Sequence, residues 1–147
     1  MNPTLEKFGY PHTLVHELDH WAILVRPAQV TLGALVLAAR SDATAYGALP
    51  PEAFAEQGAA VRLVERLLSE FVAYERINYL MLMMVDPNPH FHVLPRYAGS
   101  RSWGARDFAD AGWPGQPRLD SAVVLDPDEI AQMRAQLAGI IREQDRH

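Results

Sequence analysis

Apolar residues fall along this chain in short blocks of differing period. Trp21–Val25 and Gly33–Ala39 are apolar runs separated by Arg26–Thr31 with its proline, the signature of two strands joined by a short connection. Leu49-Pro50-Pro51-Glu52 then marks a helix start, because proline is tolerated in a first turn and a carboxylate there complements the helix dipole. Phe54, Val61, Val64, Leu68 and Phe71 recur at helical spacing, which predicts a helix to about Ala73. Ile77–Val85 is again strand-like and stops at Asp86-Pro87-Asn88-Pro89, a run of turn formers. His90–Pro95 follows, so the two runs should form a hairpin. Asp126-Pro127-Asp128-Glu129 combines an N-cap residue, proline at N1 and glutamate at N3, and Ile130, Met133, Leu137, Ile140 and Ile141 mark one face of a closing helix. Strands and helices in blocks predict an α+β fold with an antiparallel sheet.

Two segments lack such a pattern. Residues 1–12, with Pro3, Gly9 and Pro11, predict an extended, loosely attached arm. Ala98–Arg118 holds Gly99, Gly104, Gly112 and Gly115 with two tryptophans and two prolines, which predicts a long irregular loop. No linker or repeat divides the 147 residues, so a single domain is expected. The longest apolar run, Tyr79–Val85, is far short of the roughly 18 residues of a membrane span, and the N-terminus lacks a basic stretch followed by a greasy one. A cytoplasmic protein with no membrane partner is the expectation.

Composition narrows the chemistry. With no cysteine, thiolate zinc sites, iron–sulfur clusters and cysteine nucleophiles are excluded together. A net charge of −5 makes nonspecific nucleic-acid binding a poor default. Between His90 and Arg118, however, Arg96, Arg101, Arg106 and Arg118 stand against Asp107 and Asp110, a local excess of two positive charges that points to an anion-friendly region.

The sharpest candidate chemistry is Asn88-Pro89-His90-Phe91-His92-Val93-Leu94-Pro95-Arg96-Tyr97. Side chains alternate along a strand, so Asn88, His90, His92 and Leu94 share one face while Phe91 and Val93 enter the core. The two imidazoles then lie about 7 Å apart along the strand. Imidazole serves as nucleophile, acid or base near neutral pH. The same pattern also suits two histidines lining a polar sheet face, or a His-x-His chelate, for which no third ligand is evident.

This segment resembles the signature of the histidine triad (HIT) family, in which histidines alternate with hydrophobic residues and Pro-Arg often follows. The resemblance extends to Trp21–Ala39 as the family's first hairpin, the helix from Pro51 as its central helix and Ile77–Val85 as the strand before the signature. It implies a HIT-like antiparallel sheet with a central and a C-terminal helix, a homodimer, and no cofactor or metal. It also implies a nucleotide hydrolase or nucleotidyltransferase in which His90, the middle histidine, attacks the α-phosphorus of a nucleoside phosphate anhydride such as a dinucleoside polyphosphate. The alternative is a nucleotide-binding protein without significant turnover. His92 matches the third histidine. Asn88 stands where the first would be, and the family's glutamine-containing loop is shortened here to Asp86-Pro87. Asn88 and Arg96 are the candidates for binding phosphate.

Asparagine cannot protonate a departing group, and general acid catalysis is typically worth about 10²- to 10⁴-fold. Anhydrides, whose leaving group departs as a stable anion, should therefore be better substrates than phosphoramidates. All of this requires His90 to face an open, phosphate-sized pocket.

Other features weigh less. His16-Glu17-Leu18-Asp19-His20 fits the H-E-x-x-H zinc-protease pattern, but the strand-like Trp21–Val25 follows at once and leaves too little helix to present both histidines. His12 and His147 carry no signal. Trp103, Phe108 and Trp113 suit either a nucleobase cover, a subunit contact or a satellite core, and Met81, Met83 and Met84 suit core packing or, at alternate residues, the border of a base pocket.

Overall fold

The computed structural model describes residues 2–146. Five antiparallel strands form the main sheet in the order β1-β2-β4-β6-β5: β1 (Leu14–Glu17), β2 (Trp21–Val25), β4 (Leu35–Ala39), β5 (Arg76–Leu80) and β6 (His90–Arg96). A two-stranded ribbon joins β3 (Ala28–Gln29) to β9 (Val123–Val124). A second ribbon pairs β7 (Ser100–Trp103) with β8 (Arg106–Ala109).

The inner strands β2 and β4 are wholly buried, which is why each reads as a continuous apolar run rather than an alternating one. Registers Ile23↔Leu37↔Phe91 and Leu35↔Val93 put these side chains on one face. There they meet α2 (Pro51–Val72) and α3 (Pro127–Gln144) in the main core. The Trp21 indole joins the layers by donating to the Ala53 carbonyl at 2.8 Å. Registers Ala22↔Ala38↔His90 and Leu24↔Val36↔His92 define the opposite face.

Both long helices begin where their sequences predict, and α2 ends beside the predicted Ala73. In α3 the Asp126 side chain caps the Glu129 amide and the Glu129 side chain answers to the Asp126 amide, a complete capping box. Met133, Leu137 and Ile141 form its buried stripe. The stripe of α2 is rotated from the predicted one. Ala53, Ala60, Leu63, Val64, Leu67, Leu68 and Val72 are buried, whereas Phe54 is 40% exposed. Alanines on the sheet side let the helix sit close and displace the larger ring to the rim.

Three expectations need correction. Residues 1–12 are no extended arm: Pro3–Lys7 form a short helix, α1, whose Leu5 amide is capped by the Asn2 side chain and whose Leu5 is buried. With Phe8 and Tyr10, Leu5 covers Ala22, Leu24, Val36 and Ala38 on the second sheet face. The 98–118 segment is not irregular throughout, since it contains the β7–β8 hairpin, turning at Gly104 with a positive φ of 60°. Phe108 is buried, and the Trp103 indole bonds Gln136 of α3, so these two anchor the segment as satellite core. Finally, the strand predicted over Ile77–Val85 stops at Leu80. Leu82, Met84 and Val85 are 52%, 87% and 79% exposed, so the methionine cluster is largely outside the core.

The H-E-x-x-H residues are divided between strand and turn, with His16 in β1 and His20 in the turn leading to β2. His147 lies outside the described residues. No helix among the described residues is long and apolar enough to cross a membrane.

Candidate functional site

Strand alternation brings His90 and His92 onto the face covered by α1, flanked by Ala38 and Val36 of β4 and by Leu80 of β5. Their ring centroids are 5.1 Å apart and nearly perpendicular. The Phe8 ring lies 5.6 Å from His90 and 5.7 Å from His92, across both.

Each imidazole has one nitrogen whose role is dictated by its partner. His90 Nδ1 lies 2.7 Å from the Asn88 carbonyl, which can only accept, so Nδ1 carries the proton and the neutral ring keeps its lone pair on Nε2. His92 is the reverse: Arg26 Nε donates to His92 Nδ1 at 3.2 Å, and Arg26 Nη1 is anchored on the Ala28 carbonyl at 2.6 Å. The acidity of His92 follows. Burial first, then the Arg26 charge and then His90 lower its pKa to about 4, with Asp86 opposing weakly. Side by side stand an imidazole with an available lone pair and a neutral imidazole that donates.

The other two candidates serve elsewhere. The Asn88 side-chain oxygen accepts from the Thr4 hydroxyl (3.0 Å) and amide (3.4 Å), and its amide nitrogen donates to the carbonyls of Asp42 (3.3 Å) and Ala43 (3.0 Å). The Asn88 main-chain amide donates back to the Thr4 hydroxyl at 3.2 Å. Asn88 is therefore a latch for α1, and its carbonyl, not its side chain, reaches His90. Arg96 is 4% exposed and makes a bidentate pair with Asp110 at 2.7 and 3.0 Å, with further bonds to Asn78 and the Gly115 carbonyl. With these partners in place neither side chain is free for a phosphate. The basic stretch has been spent likewise. Arg101 stacks on Tyr97, Arg106 pairs with Glu129, and Arg118 pairs with Asp120, so each of these arginines has a partner within the chain.

His90 does not face an open pocket among the cavities described. It is 2% and His92 9% exposed, and five cavities among the described residues border neither ring. A cavity of about 760 Å³ lies nearby against Asn78, Leu80, Arg96 and Trp113. The covering is thin, however. Phe8 is itself half-buried and is the C-cap of the five-residue helix α1, which the Asn88 latch holds in place. The buried side-chain polar atoms left without a partner among the described residues are Thr31 Oγ1 and Gln144 Oε1, so neither imidazole Nε2 is one of them.

Phe8, Thr4 and Arg26 are the site residues that the sequence pattern did not single out. Asn2-Pro3 carries the same N-cap and N1 signal as Asp126-Pro127, with Leu5 and Phe8 three apart behind it. Arg26 directly follows the fully buried strand β2, as Arg40 follows β4. Among the described residues no group of three or more His, Cys, Asp or Glu is placed to hold a metal ion.

Known structures share this architecture. A histidine triad protein from Sinorhizobium meliloti superposes with a TM-score of 0.71 at 21% identity, over 97% of this chain and 94% of that one. A histidine triad protein from Bradyrhizobium japonicum gives 0.68 at 20% identity, over 96% of each chain. Plasmodium falciparum diadenosine triphosphate hydrolase, in complex with cyclomarin A, gives 0.67 at 10% identity over 95% of each. The fold is that of the histidine triad proteins. No protein-family model and no curated protein sequence matches the chain.

Because the folded state holds His92 at about 4 against an ordinary 6.5, the unfolded chain binds the extra proton between these values. The His92 contribution to stability is thus complete above about 6.5, declines as pH falls toward about 4, and is constant below. Urea unfolding at a series of pH values should show a steeper acid loss in the wild type than in His92→Gln. Parallel profiles would contradict the buried neutral imidazole.

Proposed function

We propose that this chain is a single-domain member of the histidine triad family that cleaves nucleoside phosphate anhydrides through His90. The observation that carries the proposal is the Nδ1–H bond to the Asn88 carbonyl, which leaves the His90 Nε2 lone pair available without a general base. Nε2 attacks the α-phosphorus, a P–N bond forms, and the P–O bond to the departing phosphate or nucleotide breaks with its electron pair on that oxygen. Water, giving up a proton, then displaces the histidine to release the nucleotide. Charge developing on the phosphoryl oxygens is met by the neutral His92 N–H.

With Asn88 engaged as a latch, no acid stands at the position of the family's first histidine. A leaving group that departs as an anion suits this site, and an amine does not. On this reading Phe8, at the C-cap of α1, swings away before a phosphate reaches Nε2. The coverage of His90 is also the observation that favours the second reading, a nucleotide-binding protein without significant turnover.

The test is steady-state hydrolysis of a dinucleoside polyphosphate and a nucleoside phosphoramidate by the wild type, His90→Asn and Phe8→Ala. The anhydride should be preferred by about 10²-fold or more, given what general acid catalysis is worth. His90→Asn should lose at least about 10³-fold in kcat/KM. Phe8→Ala should raise kcat/KM for the anhydride. Nucleotide binding with no turnover by either the wild type or Phe8→Ala would leave only the binding reading, and faster phosphoramidate cleavage would remove the leaving-group argument.

We also propose a homodimer built along β5. This is an outer strand of the sheet, and it runs into exposed Leu82, Met84 and Val85, an apolar continuation of an open edge. Light scattering in solution should give twice the chain mass, and Met84→Asp with Val85→Asp should halve it. A wild-type monomer across micromolar concentrations would contradict the pairing.

A further inference from the structure

Arg26 emerges just beyond β2, is half-buried, and spends two of its nitrogens on fixed acceptors, His92 Nδ1 at 3.2 Å and the Ala28 carbonyl at 2.6 Å. A guanidinium has donors only and stays charged at every relevant pH. Its Nε–H therefore demands a lone pair on His92 Nδ1. A second proton on that ring would set N–H against N–H and cation against cation. We infer that Arg26 is a positioning residue: it fixes His92 as the neutral tautomer protonated on Nε2, opposite to the tautomer of His90.

The pair then has divided labour. His90 presents an Nε2 lone pair and His92, with its ring centroid 5.1 Å away, presents an Nε2 proton. A histidine free to choose its tautomer would spend part of its time with lone pairs on both Nε2 atoms, which repel a phosphoryl oxygen. One free to take a second proton would add a cation that titrates near neutrality. Arg26 removes the first option and, second to burial, works against the other, and it places a permanent charge beside the site instead. For the reaction proposed above, on which this consequence rests, His92 then acts as a hydrogen-bond donor across the working pH range and supplies no acid limb to the rate profile. The tautomer itself does not depend on that reaction.

The charged and titratable groups around His92 are few. Arg26 comes from the β2–β3 turn and His90 from its own strand. Asp86, from the connection before β6, acts in the opposite sense and is paired with Lys7 of α1 at 3.3 Å. Phe8, Val36 and Leu80 supply the remaining apolar contact and strand neighbours.

Long-range ¹H–¹⁵N correlation of the histidine rings, in the ligand-free protein between pH 4 and 8, reads tautomer and titration together. Wild-type His92 should show a protonated Nε2 and a bare Nδ1 throughout the upper part of this range. Arg26→Met should give a mixed tautomer and an upward-shifted midpoint, moved part of the way from about 4 toward 6.5 because burial, the larger cause, remains. Arg26→Gln keeps a donor and loses the charge. It should preserve the tautomer while sharing the upward shift, a pattern that loss of packing alone would not produce. Wild-type His92 protonated on Nδ1, or Arg26→Met and Arg26→Gln both leaving tautomer and midpoint unchanged in a folded protein, would overturn the inference. If the protein proves not to hydrolyse anhydrides, these spectra still decide the tautomer.

Discussion

A strand covered on both faces has no water to satisfy its polar side chains, and β6 is such a strand. Phe91 and Val93 enter the main core, while His90, His92 and Arg96 face the side covered by α1 and the segment after β6. Burying an unpaired imidazole or guanidinium is costly, so each of these groups must find a partner of fixed geometry. His90 takes the Asn88 carbonyl, His92 takes Arg26, and Arg96 takes Asp110. The chemistry open to each side chain is what that partner leaves over: a lone pair on His90, a proton on His92, and nothing on Arg96.

The position of Asn88 shows the same constraint acting on a carboxamide. An imidazole there would offer two ring nitrogens, whereas the carboxamide offers an acceptor and a two-proton donor in one plane. It uses both, bonding Thr4 on one side and the carbonyls of Asp42 and Ala43 on the other. The N-terminal helix is thereby stitched to the segment that introduces β6, and Phe8 comes to rest over the two histidines. One side chain thus fastens the cover over both histidines.

Much of this was legible in the sequence where a single local rule decides. The capping box at Asp126, the proline start of α2 and the apolar runs of β2 and β4 needed no tertiary information. The alternation that places His90 with His92 is likewise a property of any strand. What stayed hidden depended on partners distant in the chain. Thr4 and Asn88 are 84 positions apart, and Arg26 and His92 are 66 apart. Nothing in the local pattern of Arg96 announces Asp110 as its partner, so a free phosphate ligand and a buried ion pair look alike there. The helix at Pro3–Lys7 was obscured by the nearby Gly9 and Pro11, although its cap obeys the rule that identifies α3.

The central claim is that one particular nitrogen, His90 Nε2, is the atom that forms a bond to phosphorus. Rapid acid-free quenching of the wild-type protein during its reaction with a nucleoside phosphate anhydride, followed by peptide mass mapping, addresses it directly. The account predicts a nucleotidyl mass on the peptide holding His90, with fragmentation placing it on that residue. A protein that turns over while carrying the added mass on His92 or on any other side chain would contradict it.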